Sequence, residues 1–282
     1  MIRYLDPRSD VVFKKIFGEH PHLLMSFLNA VLPLPLDRHI VELDYLPSES
    51  APAIPILKRP IADVRCKDNH GRTFIVEMQI EWTDSFRQRL LFEAGQAFVK
   101  QLQKGEHYHL LQPVYALGLI ATLFDPDPQH WYHHYQLVNL GKPVKEVIEH
   151  LQLLFIELPK FPVQSSTEKK LRILWLRFLR EINASTTSVD AALLAVPEIA
   201  QAINLAQEAA YSPAELNAYE AYWSAVSTEK TLLVGRYEEG KAEGKAEGKA
   251  EAFYLIAKRL LAEGIDIQTI TRLTGLTSED LQ

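Results

Sequence analysis

The chain has 282 residues, of which 47% are hydrophobic and 10% aromatic, so it can bury a sizeable core and is not intrinsically disordered. Its formal net charge of -6 excludes a global attraction to nucleic acid, so any such binding needs local patches. The single cysteine, Cys66, excludes an internal disulfide and a CxxC zinc site.

The N-terminal sequence and the apolar runs predict no association with membranes. MIRYLDPRSD lacks the charged segment and apolar segment of a signal peptide. The longest apolar run, residues 113–124, is too short to cross a bilayer as a helix. Because a lone cysteine suits a reducing compartment, we expect a cytoplasmic protein.

The first 162 residues mix helical and strand patterns, which predicts an α/β or α+β domain. The patterned segments are, in chain order, a helical stripe over 9–32 with Ser9 as N-cap and a break near Pro21, strands over 61–67 and 72–82, a helix over 85–103, and strands over 113–124 and 153–158. Residues 163–237 show helical patterns only.

An EGKA repeat occupies residues 238–252, and a helical hairpin divided at Gly264 and Gly275 is predicted for 253–282. In the repeat, glycine at every fourth position and like charges at i,i+4 make an isolated helix marginal. The repeat is therefore either a flexible linker or a helix that orders on oligomerisation. We favour the helix, and with it a homo-oligomer formed through the C-terminal helices.

The tail DIQTITRLTGLTSEDLQ has the spacing of a helix-turn-helix. DNA-binding examples place a basic helix after the turn. Here the segment after the turn is short and acidic, with Glu279 and Asp280. We therefore expect a packing or oligomerisation hairpin in preference to a DNA reader.

Two acidic residues are predicted to face each other across a β-hairpin. Asn69-His70-Gly71 fits a three-residue hairpin loop, with Asp68 opposite Arg72. This register places Asp63 opposite Glu77, with Cβ atoms about 4.5–5.5 Å apart. Like charges this close repel, whereas Mg²⁺ or Mn²⁺ between them would reverse the effect. A solvated acidic strand face is the other explanation, but the apolar neighbours favour the ion, because an unpaired buried carboxylate is costly.

Asp63 followed by Glu77-Met78-Gln79 resembles the D…ExK signature of PD-(D/E)xK nucleases, with glutamine in the lysine place. Four blocks in order resemble the Rpn family of recombination-promoting nucleases and transposases within that superfamily: SDVVFKKIFGE, FIVEMQIEW, FRQRLLFEAGQAFVKQL and RLLAEGIDIQTITRLTGLTSEDL. The resemblance implies a restriction-endonuclease-like α/β core in residues 1–162, with a mixed sheet flanked by helices and an all-helical C-terminal extension.

The resemblance also implies a Mg²⁺-dependent DNA endonuclease, linked to recombination or transposition, in which Mn²⁺ can substitute. Asp63 and Glu77 would be the ligands and catalytic acids, joined by the backbone carbonyl of Met78. Gln79 would orient the attacking water. Because a neutral amide supplies no charge, the ion must supply more of it than in the lysine-containing enzymes.

Further candidates flank this set. Asp10 is a candidate for an added acidic group near the metal, although the helix macrodipole also favours an acid in a first turn. For Glu19 we favour a purely structural role. Arg87, Arg89 and Gln101 are candidates for contacts with DNA phosphates, and a surface salt bridge is an equal explanation for Arg89.

The histidines of QHWYHHYQ (His130, His133 and His134), with His107 and His109, invite a zinc interpretation. A zinc site needs its ligands on one face, completed by a carboxylate or cysteine. Since adjacent His133 and His134 point apart in regular structure, we expect exposed or partly buried histidines near a sheet edge.

A second class of function stays open beside the nuclease. The chain could be a catalytically degenerate module that binds nucleic acid or protein on a nuclease scaffold. Glu81, the pI of about 5.9 and the glutamine in the lysine place favour it.

Overall fold

A computed structural model of the chain describes residues 2–46, 64–142, 144, 146–161, 171–277 and 279–280. The chain divides into two compact units, residues 1–224 and 225–282. Among the residues described, no helix has the length and apolar character needed to cross a membrane. The cytoplasmic location stays a prediction.

Six strands and eight α-helices make up the regular structure of the described residues. The strands are β1 (Leu43–Tyr45), β2 (Val64–Asp68), β3 (Thr73–Gln79), β4 (Val114–Ile120), β5 (Tyr132–Val138) and β6 (Val147–Glu157). The helices are α1 (Asp10–Phe13), continued by a π-helical turn (Lys14–Gly18), α2 (Pro21–Val31), α3 (Asp84–Val99), α4 (Leu171–Glu181), α5 (Ala191–Leu194), α6 (Pro197–Leu205), α7 (Pro213–Ala262) and α8 (Ile267–Thr274).

The strands form one mixed sheet in the order β1-β2-β3-β4-β6-β5. β3, β4 and β6 are parallel, and the other neighbours are antiparallel. The predicted hairpin register is confirmed where it can be seen, because Val64 pairs with Val76 and Cys66 with Phe74. Gly71 has the positive φ, 80°, that the loop requires. The predicted pairing of Asp63 with Glu77 lies outside the described residues.

Helices cover both faces of the sheet. On the α2 face, helices α1, α2, α4 and α6 enclose a cluster in which the Phe17 ring lies 5.0 Å from Phe27 and 5.5 Å from Trp175. On the α3 face, α3 packs Phe86 against Phe155 of β6. Strands covered on both sides read as nearly continuous apolar runs, as β4 does. The expected class, a mixed sheet flanked by helices with a helical C-terminal part, is confirmed.

Cys66 lies on the α2 face of β2 and is fully buried. Burial raises the pKa of its thiol. The residue therefore behaves as a small core side chain, in keeping with the absence of any disulfide partner in the sequence.

The edge strand β5 differs from expectation. Its polar sequence gave no strand signal, because much of the strand is exposed at the margin of the sheet. His133 and His134 do point apart, and Nε2 of His134 bonds Oε1 of Gln152 at 2.6 Å. The expectation of exposed or partly buried histidines is wrong for His133, which is 4% exposed and packs beneath the Phe124 ring.

The EGKA repeat is helical, since residues 238–252 lie within α7 and are exposed. Gly264 and Gly275, where the sequence predicts the tail to divide, have φ values of 83° and 75° and follow α7 and α8. Such left-handed positions favour glycine at helix ends. Assembly through these helices stays a prediction.

Gly118, in the middle of β4, allows two rings to close over the sheet. A Cβ at this position would lie 2.9 Å from Cε1 of Phe86 and 3.0 Å from Cδ1 of Phe155. Both rings are fully buried, so neither can move without disturbing its neighbours.

We expect Gly118→Ala to lower the free energy of unfolding by about 1–3 kcal/mol, because the added methyl group overpacks this point. Urea denaturation measures the change. Gly95→Ala on α3 is the matched control, since nothing lies within 4 Å of its Cβ position. That substitution should stabilise by up to about 1 kcal/mol through helix propensity. An unchanged midpoint for Gly118→Ala would show that the rings yield freely.

Candidate active site

Glu77 is a carboxylate inside the sheet. It is 3% exposed, and its register places it beside Gly118 of β4, which is followed by Phe155 of β6. Like Ile75 two residues earlier, it projects on the α3 face. A buried carboxylate is costly unless it is protonated, paired or bound to a cation. The residues around Glu77 therefore determine what the site can do.

Helix α3 brings a second buried acid, Glu93, beside Glu77. Glu93 is 2% exposed. Oε1 of Glu77 and both carboxyl oxygens of Glu93 accept no hydrogen bond from a donor group of the described residues, so the two acids can share a proton only with each other. Burial first, and then the neighbouring Glu93, raise the pKa of Glu77 to about 9. The pair is thus arranged to hold a proton or a cation.

Sequence reasoning missed Glu93, although a signal for it was present. Residues Phe86, Leu90, Ala94 and Ala97 form the buried stripe of α3, and Glu93 lies within it. A single charged residue on the apolar stripe of a helix indicates a buried polar site, because charged side chains are rarely buried unless they are paired.

Arg89 links Glu77 to Gln79. Its Nη2 donates to Oε1 of Gln79 at 2.8 Å and lies 3.3 Å from Oε2 of Glu77. Nε2 of Gln79 in turn donates to the carbonyl oxygen of Glu81 at 2.6 Å. Arg89 opposes the effect of Glu93 by lowering the pKa of Glu77. A fixed positive charge therefore lies beside Gln79, although the lysine of the superfamily is missing.

Among the described residues, no hydrogen bond or ion pair joins Glu77 to another predicted metal ligand. Asp63 is outside the described residues. The Met78 side chain belongs to the α2 face, so only its backbone carbonyl is a candidate ligand. Asp10 occupies the first turn of α1 and forms an ion pair with Lys14 at 2.6 Å, and Glu19 is exposed.

The three residues predicted to contact DNA phosphates have different surroundings in the structure. Only Arg89 reaches Glu77 and Gln79. The Arg87 guanidinium lies over the Trp82, Phe124 and Tyr135 rings, 5.6–5.8 Å from their centroids. The Gln101 amide bonds both the carbonyl oxygen and the N–H of Gln112, at 2.9 and 2.8 Å, and so ties the end of α3 to the next loop.

The fold and this buried acid on a central strand place the protein with nucleases of the PD-(D/E)XK type. The family model described as "PD-(D/E)XK nuclease family transposase" matches residues 7–233, and the chain belongs to that family. The model of the Rpn/YhgA-like nuclease family C-terminal HTH domain matches residues 250–282, in agreement with the Rpn resemblance. No significant match was found to a curated protein or to a solved structure.

The second match bears on the tail. After α8, the backbone N–H of Thr277 donates to Oδ2 of Asp280 at 2.8 Å, and the N–H of Asp280 donates to Oγ1 of Thr277 at 3.3 Å. This reciprocal bonding is the pattern of a capping box. The helix-turn-helix match supports DNA binding by residues 250–282 and counts against the packing hairpin that the acidic sequence suggested.

Because the pKa of Glu77 is raised, we expect the metal-free protein to lose stability as pH rises. The unfolded chain releases this proton near 4.5, whereas the folded chain keeps it up to about 9. The contribution is therefore complete below the lower value and lost on passing the upper one, with a slope of at most about 1.4 kcal/mol per pH unit.

Urea unfolding in EDTA, from acidic to alkaline pH, measures this slope. Glu77→Gln keeps the side-chain shape without titrating and should flatten the dependence. If the variant keeps the slope of the unmodified protein, other groups cause it.

Proposed function

We propose that the protein is a metal-dependent DNA endonuclease that hydrolyses phosphodiester bonds, with Mg²⁺ as its ion and Mn²⁺ as a substitute. The observation that supports it is the buried pair of Glu77 and Glu93: three of their four carboxyl oxygens accept no hydrogen bond from a described donor, and Nη2 of Arg89 lies 3.3 Å from the fourth, Oε2 of Glu77. Carboxylate oxygens are the hard donors that these ions prefer. The side chains present therefore fit the ion.

Glu77 would hold the ion together with Asp63, which the sequence predicts to lie opposite it, and with the Met78 carbonyl. Glu93 adds a third carboxylate from α3. On binding, the two buried acids would give up the proton that the raised pKa of Glu77 retains. The ion supplies a lowered water pKa and charge neutralisation at the phosphate.

Gln79 orients water, and Arg89 fixes Gln79. Because Arg89 occupies Oε1 and the Glu81 carbonyl occupies one N–H, the amide is held in one orientation with one N–H left for water. Arg89 also provides the cation that a lysine provides in most of the superfamily. A guanidinium stays charged at any working pH, so it stabilises phosphate charge without taking a proton.

DNA is the proposed substrate and partner. Since the chain is acidic overall, its contacts with DNA have to be local. The helix-turn-helix match over residues 250–282 supports a DNA-binding segment separate from the cleavage site. Recombination or transposition is the process that the family description supports.

We expect Glu77→Gln to reduce Mg²⁺-dependent cleavage of plasmid DNA by more than about a hundredfold, because it removes a ligand and a charge at the reacting centre. Calorimetry should show one saturable Mn²⁺ site fewer in the same variant. Glu81→Gln is the matched control on the same strand end and should cleave normally. Full cleavage by a clean preparation of Glu77→Gln would refute the proposal.

Arg89→Gln tests the role of the positively charged guanidinium separately from that of the metal ligands. We expect kcat to fall by about 10²–10³-fold, as when one transition-state donor is removed, while Mn²⁺ binding is retained. Arg87→Gln, two residues away and stacked on aromatic rings, is the control and should have little effect on kcat. Equal losses in the two variants would contradict a specific role for Arg89.

One observation favours the degenerate module. Arg89 already pairs with Glu77, so the buried charge is partly satisfied without an ion. In that case, calorimetry would detect no Mn²⁺ binding that depends on Glu77, and DNA binding through residues 250–282 would persist in the Glu77→Gln variant.

A further inference from the structure

A second group of metal-ligating side chains lies at the β5 edge of the sheet. It contains Asp125 and His130 from the loop after β4, and His133 from β5. One ligand atom from each lies within 4.8 Å of the others. Oδ2 of Asp125 is 3.7 Å from Nδ1 of His130 and 3.8 Å from Nδ1 of His133, and the two rings are 4.3 Å apart.

These separations are too long for direct hydrogen bonds, which end near about 3.2 Å. They are close to the spacing of ligands around a shared ion, since metal–ligand bonds of about 2.0–2.2 Å put tetrahedral neighbours about 3.4 Å apart. We propose that Asp125, His130 and His133 bind a divalent transition-metal ion of the zinc class.

The hydrogen bond between His133 and Glu157 leaves Nδ1 of His133 available to bind a metal ion. Nε2 lies 2.9 Å from Oε1 of the fully buried Glu157, and the same oxygen accepts from Nζ of Lys160. Oε2 of Glu157 accepts from the N–H of Phe124. A carboxylate that accepts from Lys160 accepts from His133 as well, so Nε2 carries the hydrogen and Nδ1 presents its lone pair toward Asp125. Metal-binding histidines are commonly oriented by such a carboxylate.

The loop that carries Asp125 is held in place from behind. Nζ of Lys160 donates to the carbonyl oxygens of Asp125 and His130, at 2.6 and 3.3 Å. Oδ1 of Asp125 accepts the N–H of Asp127 at 2.8 Å, which leaves Oδ2 facing the histidines. The donors are therefore positioned before any ion arrives, and little ordering is needed for binding.

The donor set determines the class of ion. Two imidazole nitrogens and one carboxylate suit zinc, cobalt or nickel, whereas Mg²⁺ and Ca²⁺ prefer oxygen alone. Three protein ligands leave a fourth position, and the 55% exposed side chain of His130 opens it to solvent.

The group is separate from the acids at Glu77. The sheet register runs from Glu77 through Gly118 and Phe155 to His133, a distance of about 14 Å at three strand spacings. The stacked rings of Trp82 and Phe124, 4.1 Å apart, pack with Phe155 on this face. An ion here would fasten the loop to β5.

The test is calorimetric titration of chelator-treated, full-length protein with Zn²⁺, in excess Mg²⁺ so that oxygen-only sites are filled. We expect one saturable site, and a zinc-dependent rise in melting temperature. His130→Ala should weaken binding by roughly tenfold or more and remove the rise. Because that side chain is exposed, the variant should fold, and Co²⁺ in the unmodified protein should give the visible bands of a tetrahedral nitrogen–oxygen site.

Two controls decide the interpretation. His107→Ala alters another close histidine pair, in which the His107 and His109 rings are 5.4 Å apart, and should leave zinc affinity unchanged. Glu77→Gln should also leave it unchanged. The proposal is overturned if the unmodified protein shows no saturable binding, if His130→Ala keeps full affinity, or if either control weakens zinc to the same degree.

Discussion

The structure depends on accommodating charge in a sheet that is covered on both faces. β3 lies between two helical layers, so water cannot solvate Glu77, and the protein itself has to satisfy the carboxylate. Helix α3 does this with Arg89 and Glu93, one supplying a positive charge and the other a second acid that can share a proton. A buried group handled in this way is held in place but remains reactive, which is the condition that a catalytic acid or ligand needs.

The same requirement appears toward the β5 edge of the sheet, where Glu157 is fully buried and is satisfied by Lys160 and His133. Both polar groups lie toward the carboxyl ends of the parallel strands, where open α/β sheets commonly bind ligands. Between them β4 offers only apolar side chains and Gly118, and the rings that close over this glycine keep the two polar groups apart. The α3 face of the sheet therefore carries two separate polar groups, one around Glu77 and one around Glu157.

Much of the core could be predicted from local pattern. The hairpin register followed from a three-residue loop ending in glycine, because turn geometry fixes which side chains oppose each other. The alternation in β3 then placed Glu77 on the same face as Gln79. The fold class followed from the order of strands and helices and from the resemblance to a family, which the match over residues 7–233 bears out.

What could not be predicted depends on contacts distant in sequence. Glu93 comes beside Glu77 only when α3 packs over β3, and the charge of Arg89 lies beside Gln79 only because the same helix brings it there. The β5 strand was missed because an edge strand needs few apolar residues. Asp125 joins two histidines because Lys160, thirty-five residues later, holds the loop by its carbonyl oxygens.

Cys66 gives the hairpin a built-in reporter. A thiol reacts through its thiolate, and this one is both sealed from solvent and disfavoured as an anion, so an alkylating reagent has to wait until β2 separates from its neighbours. Since the sequence has no other cysteine, the rate at which Cys66 is alkylated under native conditions reports how often the strand pair that carries Glu77 opens locally. Any ligand that bridges that strand pair would slow the alkylation of Cys66 without contacting its sulfur.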